Sequence, residues 1–291
     1  MTGATADPLL KWPGGKRLLA STIAAHAGTP TTWVEPFVGA GGAWLTVGRQ
    51  ARRSVVADVN PRLINLHRVV RDLPNALIDE VRKLPYGERT TWEPAYVGLR
   101  DEFNAFGTPC PMQDQRTGHD VRNAALLLWL NKACFNGVYR ENRAGQFNVS
   151  PGRSSVGDSL LTVPDAALIH VVSQAIQSST TLCTSFTDLG GPGSPADNVT
   201  IYCDPPYLGT FSSYARRGFD QEDHRRLVAW CEAWAASGAT VLVSNSAQAA
   251  NLYEGWDVYP VHDVRRSCGG TNAARGLVSE IIAVAPRPDP R

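Results

Sequence analysis

The sequence of 291 residues contains little lysine and almost no excess charge. Its formal net charge is +1 at pH 7, and lysine occurs only at Lys11, Lys16, Lys83 and Lys132. A chain with this balance has no basic field over its whole surface, so it binds a polyanion only through one basic face. Net charge alone therefore does not indicate a nucleic-acid partner.

Paired cysteines and metal-ligand patterns are also missing. The six cysteines are scattered and form no CxxC pair, at Cys110, Cys134, Cys183, Cys203, Cys231 and Cys268. The histidines show no ligand spacing, and we interpret His67 and His224 as surface or packing residues of predicted helices. Zinc sites use closely spaced cysteine and histidine ligands. We therefore expect no metal site, and a reducing, cytoplasmic compartment.

Long apolar runs are absent as well. The nearest, AALLLWL at 124–130, is far shorter than the roughly 20 residues that span a membrane. The first twenty residues lack the apolar core of a secretory signal peptide. We expect no membrane partner, and a chain of this length has room for one large α/β domain and a smaller insertion.

The first part of the chain alternates between predicted strands and helices. TTWVEPF at 31–37 predicts a buried strand, and the segment 39–50 predicts a glycine loop that enters a helix. RSVVAD at 53–58 predicts a second strand, and a helix with Asn60 as its cap is predicted at 60–73. This order is typical of an α/β fold with a doubly wound, Rossmann-like sheet.

Residues 76–160 interrupt this alternation. They combine helical segments with a loop rich in glycine, asparagine and arginine at 136–153, and they predict an inserted, mostly helical domain. Residues 1–75 and 161–291 are predicted to form the sheet domain. Its later elements are predicted as strands at 180–186, 199–204, 239–246 and 277–285 and a helix at 220–238.

The glycine loop has the composition of a ligand-binding turn. Gly39, Gly41 and Gly42 permit a tight turn and the close approach of a ligand at a helix N-terminus. Asp58 follows Gly39 by 19 residues and ends the next strand, where a carboxylate can accept from the ribose hydroxyls of a nucleoside cofactor. The loop departs from the dinucleotide pattern GxGxxG and fits the methyl donor S-adenosylmethionine (AdoMet) equally well. A strand-to-helix turn without a ligand is the alternative.

The segment IYCDPPYLGTF at 201–211 follows another buried strand. Proline fixes its own φ and has no N–H, and it pushes the preceding residue toward extended geometry. Asp204 and the Pro205 carbonyl can therefore accept hydrogen bonds from an exocyclic amino group of a nucleobase, while Tyr207 stacks on the base. Such acceptors stabilise the positive charge that develops as the nitrogen attacks a methyl sulfonium. The alternative interpretation is a rigid structural turn.

Six segments occur in an order that resembles one enzyme family. They are KWPGGK at 11–16, VEPFVGAGG at 34–42, ADVN at 57–60, FNGVYRENRAGQFNVSPG at 135–152, YCDPPY at 202–207, and SNS with RRS, RG and SEII between 244 and 282. Together they resemble the Dam-like adenine-N6 DNA methyltransferases of the D12 class, from about residue 9 to 284. The resemblance implies AdoMet as methyl donor, adenine N6 in double-stranded DNA as acceptor, and target recognition by the inserted domain.

The resemblance also implies roles for individual residues. Asp204, Pro205, Pro206 and Tyr207 take the catalytic role. The cofactor site is expected at Trp12, Lys16, Glu35, Phe37, Gly39, Ala40, Gly41, Asp58, Asn60, Ser185, Phe186 and Asp204. Ser185 departs from many relatives, which have an acidic residue at this position, so the affinity for the cofactor is in question more than the activity.

The resemblance also implies that the loop 136–153 forms a hairpin at the DNA. Its amide and guanidinium groups are of the kind that read purine edges or bind phosphates, although such clusters also form solvated turns. The expected DNA-binding residues are Lys11, Asn136, Arg140, Asn142, Arg143, Asn148 and Arg153. Glu141 and Ala144 stand where GATC-specific members tend to have an aromatic and a basic residue. A carboxylate there repels phosphates but can accept from cytosine N4, so we expect a target other than GATC.

These observations predict an AdoMet-dependent, site-specific DNA adenine-N6 methyltransferase. A cytosine-N4 or an RNA adenine methyltransferase is the nearest alternative, because the same amino-group chemistry permits both. A non-catalytic, sequence-specific DNA-binding protein of the same fold is the alternative from another class. No covalent intermediate is needed, and Cys203 is expected to point away from Asp204. We expect a monomer, since one chain contains every motif, and a cognate restriction endonuclease is a further candidate partner.

Overall fold

The seven strands of the structure form one mixed sheet. The computed structural model describes residues 6–12, 19–107, 116–152, 160–192, 198–208, 218–265 and 277–287. The predictions for Lys16 and Arg153 lie outside these residues. The strands are β1 (Thr32–Glu35), β2 (Arg53–Asp58), β3 (Ser179–Cys183), β4 (Val199–Cys203), β5 (Thr240–Ser246), β6 (Asp257–Arg265) and β7 (Leu277–Val284).

The strand order is β3-β2-β1-β4-β5-β7-β6. Strands β1 to β5 pair in parallel, whereas β7 runs antiparallel between β5 and β6. The strand order reverses direction between β1 and β4, which makes this position the topological switch point of the sheet. Open α/β sheets bind ligands at the switch point, outside the carboxyl ends of the strands. The predicted α/β class and doubly wound, Rossmann-like sheet are confirmed.

Strand β6 is a strand that the sequence analysis did not predict. It lies at the edge of the sheet and contains Pro260, which pairs with Ile281 of β7. A proline normally argues against a central strand, because it cannot donate to the hydrogen-bond ladder, but an edge strand tolerates it. The proline therefore concealed a strand that has a partner on only one side.

The helices follow the predicted alternation. They are α1 (Ala20–Ala27), α2 (Gly42–Thr46), α3 (Pro61–Asp72), α4 (Pro74–Arg82), α5 (Arg89–Ala105), α6 (Gly118–Ala133), α7 (Ala166–Ala175) and α8 (Gln221–Ala236). The side chain of Asn60 accepts from the N–H groups of Arg62 and Leu63, as predicted for the cap of α3. Asp220 caps α8 in a reciprocal arrangement with Asp223. Both helices thus begin where short polar side chains satisfy their first N–H groups.

The helices of the predicted insertion share a hydrophobic core with the sheet domain. Buried residues of α4, α5 and α6 belong to the same cluster as those of α3 and β2. The apolar run 124–130 of α6 is buried on all sides, so it is a core helix. The boundaries at 75 and 161 stay a prediction. Within the part of the chain that the structure describes, no helix has both the length and the apolar character needed to cross a membrane.

Candidate active site

Three carboxyl ends of neighbouring parallel strands form the candidate site. Strand β1 lies between β2 and β4 and leads into the glycine loop. Asp58 ends β2, and Asp204 follows β4 directly. The two segments predicted for cofactor binding and catalysis therefore meet at one edge of the sheet.

The glycine loop turns sharply after β1. Gly39 has φ +49° and Gly41 has φ +82°, in the region that favours glycine. The Val38 N–H donates to Ala57 of β2 at 2.9 Å. A Cβ added to Gly39 would lie 3.1 Å from Cδ1 of Trp12. The structure therefore brings Trp12 and Gly39 together, as the cofactor-site prediction requires.

Asp58 binds the loop through both carboxylate oxygens. Oδ2 accepts from the Gly39 N–H at 3.0 Å, and Oδ1 accepts from the Asn60 N–H at 2.8 Å. Burial raises the pKa of Asp58 to about 6, against the lowering effect of the N–H groups of Asn60, Gly39 and Val59. The next side chain, Val59, is 54% exposed. Asp58 is thus a titratable carboxylate that is fixed in orientation beside an exposed apolar residue.

His67 also holds the loop, which the sequence did not predict. Its Nε2 lies 2.8 Å from the Gly39 carbonyl, and a carbonyl only accepts, so Nε2 carries the proton. The ring is buried and packs edge-on against Trp44 at 5.5 Å. Burial lowers the pKa of His67. The only sequence signal was its position two helical turns after the cap Asn60.

The other predicted cofactor residues have mixed surroundings. Glu35 is buried and accepts from Nε1 of Trp33 at 2.8 Å. Phe37 packs against Phe186 with ring centroids 5.7 Å apart. The Ser185 hydroxyl accepts from the Thr187 N–H at 3.4 Å and caps a short helical turn. Ala40 is half-buried in the glycine loop. Phe37 is therefore the half-buried aromatic residue of the two and Phe186 supports it from the core, while Glu35 and Ser185 also serve the local structure.

Two hydroxyl groups linked by a hydrogen bond, those of Ser244 and Tyr202, hold the Asp204 carboxylate. Ser244 of β5 donates from Oγ to Oδ1 of Asp204 at 2.8 Å. Tyr202 Oη lies 2.9 Å from the same Ser244 Oγ. Because the single hydroxyl proton of Ser244 goes to Asp204, Tyr202 donates to Ser244. Tyr202 and Ser244 are fully buried, so the carboxylate has one fixed orientation.

A hydrogen bond to strand β7 holds the side chain of Tyr207, the last residue of the tetrapeptide. The Tyr207 hydroxyl donates to Oε2 of Glu280 at 2.7 Å, and Glu280 is buried on β7. Burial raises the pKa of Tyr207, and the nearby carboxylates of Asp204 and Glu280 raise it further. The SNS and SEII segments contributed to the resemblance, but the sequence did not assign a site role to Ser244 or Glu280.

Helix α8 supports the second proline. His224 is buried with its ring edge-on to Phe219 at 4.7 Å, which agrees with the packing role and not the surface role of the prediction. Neither of its ring nitrogens has a hydrogen-bond partner of ordinary geometry. Burial lowers its pKa, while Asp223, Asp220 and the nearby Pro206 carbonyl raise it. His224 is therefore a packing residue next to the tetrapeptide predicted to be catalytic.

Cys203, the cysteine next to Asp204, packs into the core. Cys203 is buried with its Sγ 3.9 Å from the Sγ of Cys231. Among the described residues, no three histidine, cysteine, aspartate or glutamate side chains are placed to hold a metal ion. The chemistry that the described groups offer is hydrogen-bond acceptance and aromatic stacking.

The predicted DNA loop forms a hairpin whose polar side chains bind one another. Glu141 and Phe147 pair across it. Nε of Arg140 donates to Oδ1 of Asn148 at 2.9 Å. The Asn142 side chain accepts from two N–H groups of the tight turn. Asn142 therefore shapes the hairpin, whereas Arg140, Asn148 and Arg143 remain exposed.

Lys11 and Asn136 meet at the root of the hairpin. Asn131 of α6 accepts from the Lys11 N–H at 2.8 Å and donates to the Lys11 carbonyl at 2.9 Å. Lys11 and Asn136 line a cavity of about 540 Å³. Phe135, which the sequence analysis did not single out, is 39% exposed beside them. The signal was an aromatic residue directly before the Asn-Gly turn.

Glu141 has internal partners, in contrast to the expected contact with DNA. The Tyr139 hydroxyl donates to its Oε1. Nε of Arg62 lies 3.9 Å from the same oxygen. The carboxylate charge is therefore directed toward helix α3, which weakens the argument that Glu141 reads cytosine N4.

Known proteins resemble the chain over nearly its whole length. The sequence pattern of the D12 class N6 adenine-specific DNA methyltransferases matches residues 12–267. The DNA adenine methylases of Vibrio cholerae and of Escherichia coli K12 are each 31% identical to it, over 94% of both chains. The type II methyltransferase M.MjaIII of Methanocaldococcus jannaschii is 29% identical, over 94% of this chain and 98% of its own. With the aspartate, tyrosine and glycine loop in place at one edge of the sheet, the chain belongs to the D12 class of N6 adenine-specific DNA methyltransferases.

Proposed function

We propose that this adenine-specific DNA methyltransferase takes its methyl group from AdoMet, held between the glycine loop and Asp58. The residues fit such a ligand, because Asp58 ends β2 with a carboxylate that is fixed by two N–H groups. Each of its oxygens can accept again from a ribose hydroxyl. The exposed Val59 and the half-buried ring of Phe37 offer apolar surface for an adenine, and the buried Phe186 packs against Phe37 and supports it. AdoMet supplies an electrophilic methyl group on a sulfonium.

The catalytic proposal depends on the fixed orientation of Asp204. Its carboxylate and the Pro205 carbonyl accept from the two hydrogens of the target amino group, which localises the nitrogen lone pair. Proline cannot offer a competing N–H. The hydrogen bond from Ser244 at 2.8 Å is the single observation that carries this proposal, because a preorganised acceptor needs no reorientation as charge develops.

The target adenine must leave the duplex to reach this edge of the sheet. Unstacking costs on the order of a few kcal/mol. Stacking on an aromatic ring offsets about 1–3 kcal/mol per base. We propose that Tyr207 supplies this surface, with its ring held by Glu280. The base then lies between an aromatic face and the Asp204 carboxylate, and the attacking nitrogen points toward the glycine loop.

Recognition of double-stranded DNA is assigned to the insertion 76–160. The exposed Arg140, Arg143 and Asn148 lie on its hairpin, and Lys11 lies at the root. We propose that these groups contact phosphates and base edges, while Phe135 packs against the duplex as an apolar wedge. The protein would act as a monomer in the cytoplasm, where it meets DNA. A restriction endonuclease with the same target would be its partner.

Transfer of labelled methyl groups from AdoMet to unmethylated DNA tests the proposal. Sequencing that reports modified bases identifies both the atom and the target. We expect N6-methyladenine within one short motif for the wild type and none for Asp204→Ala. Asp204→Asn keeps one acceptor oxygen in place, so it should retain measurable transfer.

Three outcomes would contradict parts of the proposal. Modification of cytosine N4 would keep the site but change the substrate. AdoMet binding without transfer to DNA would favour an RNA substrate or a non-catalytic DNA-binding protein. Equal transfer by the wild type and Asp204→Ala would remove Asp204 from the chemistry.

A further inference from the structure

One side chain at the root of the hairpin contacts the proposed cofactor site. Tyr139 is 2% exposed and packs against Trp12 with ring centroids 5.1 Å apart. Trp12 in turn lies against Gly39 of the glycine loop. On its other side, Tyr139 packs against Phe147, which pairs with Glu141 across the hairpin. Tyr139 therefore contacts the hairpin that would hold the DNA directly, and it reaches the loop that would hold the cofactor through Trp12.

The Tyr139 hydroxyl continues this connection through a buried charge. It donates to Glu141, whose carboxylate is 3.9 Å from Nε of Arg62. The Arg62 side chain is only 4% exposed. Its guanidinium lies 3.9 Å from the centre of the Phe103 ring and donates to the Phe103 carbonyl at 3.1 Å. Since Arg62 is fixed by helix α5, Glu141 has a rigid partner.

Arg62 also belongs to the segment that orients Asp58, the carboxylate proposed to bind the cofactor. It lies in the first turn of α3, two residues after the cap Asn60, and its N–H donates to the Asn60 side chain at 3.0 Å. The Asn60 N–H binds Asp58. The Asn60 side chain also lies near the Tyr139 hydroxyl, where it acts to lower the pKa of Tyr139 against the larger raising effect of burial. A shift of this turn on cofactor binding would therefore reach Tyr139 and Glu141 by two routes.

We propose that Tyr139 and Glu141 are positioning residues that couple cofactor binding to DNA binding. They hold the recognition hairpin in a fixed position relative to the glycine loop and Asp58. This inference rests on the proposed function, because it requires AdoMet at the glycine loop and DNA at the hairpin. Neither residue is proposed to touch the reacting atoms.

The coupling has a thermodynamic definition that contacts alone do not establish. If a bound cofactor raises the affinity for DNA by some factor, bound DNA must raise the affinity for the cofactor by the same factor. A residue that only stabilises the fold would leave this factor unchanged. The factor is therefore the quantity to measure.

The experiment compares DNA affinity with and without S-adenosylhomocysteine, the unreactive product. Fluorescence anisotropy of a labelled, unmethylated duplex that contains the target motif gives the Kd for DNA at one fixed salt concentration. We expect saturating S-adenosylhomocysteine to lower the wild-type Kd about fivefold or more. In Tyr139→Phe and in Glu141→Gln we expect this factor to fall below about twofold. Calorimetry gives the affinity of each protein for S-adenosylhomocysteine alone.

Tyr96→Phe is the matched control. The Tyr96 hydroxyl donates to the Val149 carbonyl at 2.9 Å and ties the same hairpin to α5 instead of to the cofactor side. It loses the same atom as Tyr139→Phe, so it should weaken DNA binding without changing the coupling factor. Glu141→Gln breaks the charge contact with Arg62 but keeps an acceptor for Tyr139, so the two variants test different halves of the connection.

The outcomes separate this inference from the proposed function. A wild type that binds no S-adenosylhomocysteine overturns the cofactor site, and the inference with it. A wild type that binds it but shows no change in DNA affinity overturns the inference alone. A full wild-type factor in both Tyr139→Phe and Glu141→Gln, or an equal loss in Tyr96→Phe, would also overturn it.

Discussion

Nε2–H of His67 donates to the carbonyl of Gly39 at 2.8 Å, so a buried imidazole on α3 holds the turn of the glycine loop. Asp58 holds the N–H of the same glycine at 3.0 Å. Both polar backbone groups of Gly39 are therefore bound by side chains from the next strand and helix. The loop is preorganised before any ligand arrives, which reduces the entropy that binding must cost.

His67→Phe should weaken AdoMet binding about three- to tenfold. The phenyl ring keeps the packing against Trp44 but removes one hydrogen bond, worth about 0.5–1.5 kcal/mol. His67→Gln can still donate and should recover most of the affinity. Isothermal titration with AdoMet measures both. His170, exposed on α7, provides the control His170→Phe, and equal losses in the control and in His67→Phe would contradict the role of His67.

The affinity for AdoMet should fall as the pH drops below about 6. The pKa of Asp58 is raised to about 6 by burial, and only the ionised carboxylate offers all its acceptor sites to ribose hydroxyls. Titrations between pH 5 and pH 8 test this. Asp58→Asn should bind weakly, with a flat profile over the same interval. A wild-type profile that is equally flat would show that Asp58 does not contact the cofactor.

The raised pKa of Asp58 has the opposite consequence for the stability of the fold, which it favours at low pH. The pKa of Asp58 lies above its usual value of 3.8 in the folded protein, so folding favours the protonated form. This contribution to the free energy of unfolding is fully present below pH 3.8 and is lost as the pH rises through about 6. The free energy of unfolding, measured in urea, should be lower at pH 7 than at pH 5 in the wild type. This difference between the two pH values should be smaller in Asp58→Asn.

Ser244→Ala should lower kcat about 10- to 100-fold and leave AdoMet binding unchanged. It removes a hydrogen bond to a charged carboxylate, worth about 1.5–3 kcal/mol, and releases the orientation of Asp204. Ser246 is the matched control, because it lies two residues further along β5 and its buried hydroxyl has no hydrogen-bond partner. Ser246→Ala should keep kcat within about twofold. Similar kcat values for the two variants would contradict the role of Ser244.

Tyr207→Phe and Tyr207→Ala should separate ring position from stacking. The phenylalanine variant keeps the aromatic face but loses the hydrogen bond to Glu280, so kcat should fall while the flipped base is still held. The alanine variant also loses about 1–3 kcal/mol of stacking. Fluorescence of 2-aminopurine at the target position reports flipping, and it should fall only in Tyr207→Ala. An equal loss of signal in both variants would show that the hydroxyl, not the ring, holds the base.

Gly48→Ala should destabilise the fold by about 1–3 kcal/mol. A Cβ at this position would lie 2.6 Å from ring atoms of Trp33, which is fully buried. Gly98 lies inside α5, and a Cβ there meets no atom within 4 Å. Gly98→Ala should therefore stabilise the protein by about 0.5–1 kcal/mol through helix propensity. Urea unfolding measures both, and a neutral Gly48→Ala would show that Trp33 has room to move.

The parts of the site that are local in the sequence were predictable. Gly39 follows strand β1 and Asp58 ends strand β2, with helix α2 between the two strands, and this spacing indicates a shared edge of the sheet. The cap Asn60 and the tetrapeptide beginning at Asp204 have strong backbone preferences of their own. These features depend on short segments whose conformation the neighbouring residues largely determine.

The supporting residues depend on contacts that no local pattern encodes. Tyr207 and Glu280 are 73 positions apart, and Ser244 is 40 positions from Asp204. His67 and His224 lie on amphipathic helices where an inward histidine resembles any packing residue. Their partners are known only once the order of the strands is known. Edge strand β6 was not predicted for a related reason. Pro260 is acceptable only in a strand that has no second neighbouring strand, and the strand order decides this.

The antiparallel strand β7 makes the pocket depend on a late part of the chain. Glu280 holds Tyr207, although it follows the tetrapeptide by more than 70 positions. During synthesis on the ribosome, the aspartate, the tyrosine and the glycine loop all emerge well before their last support. A nascent chain that has not yet exposed Glu280 therefore carries the proposed catalytic groups without the contact that holds the Tyr207 ring. A premature stop before β7 would have the same effect.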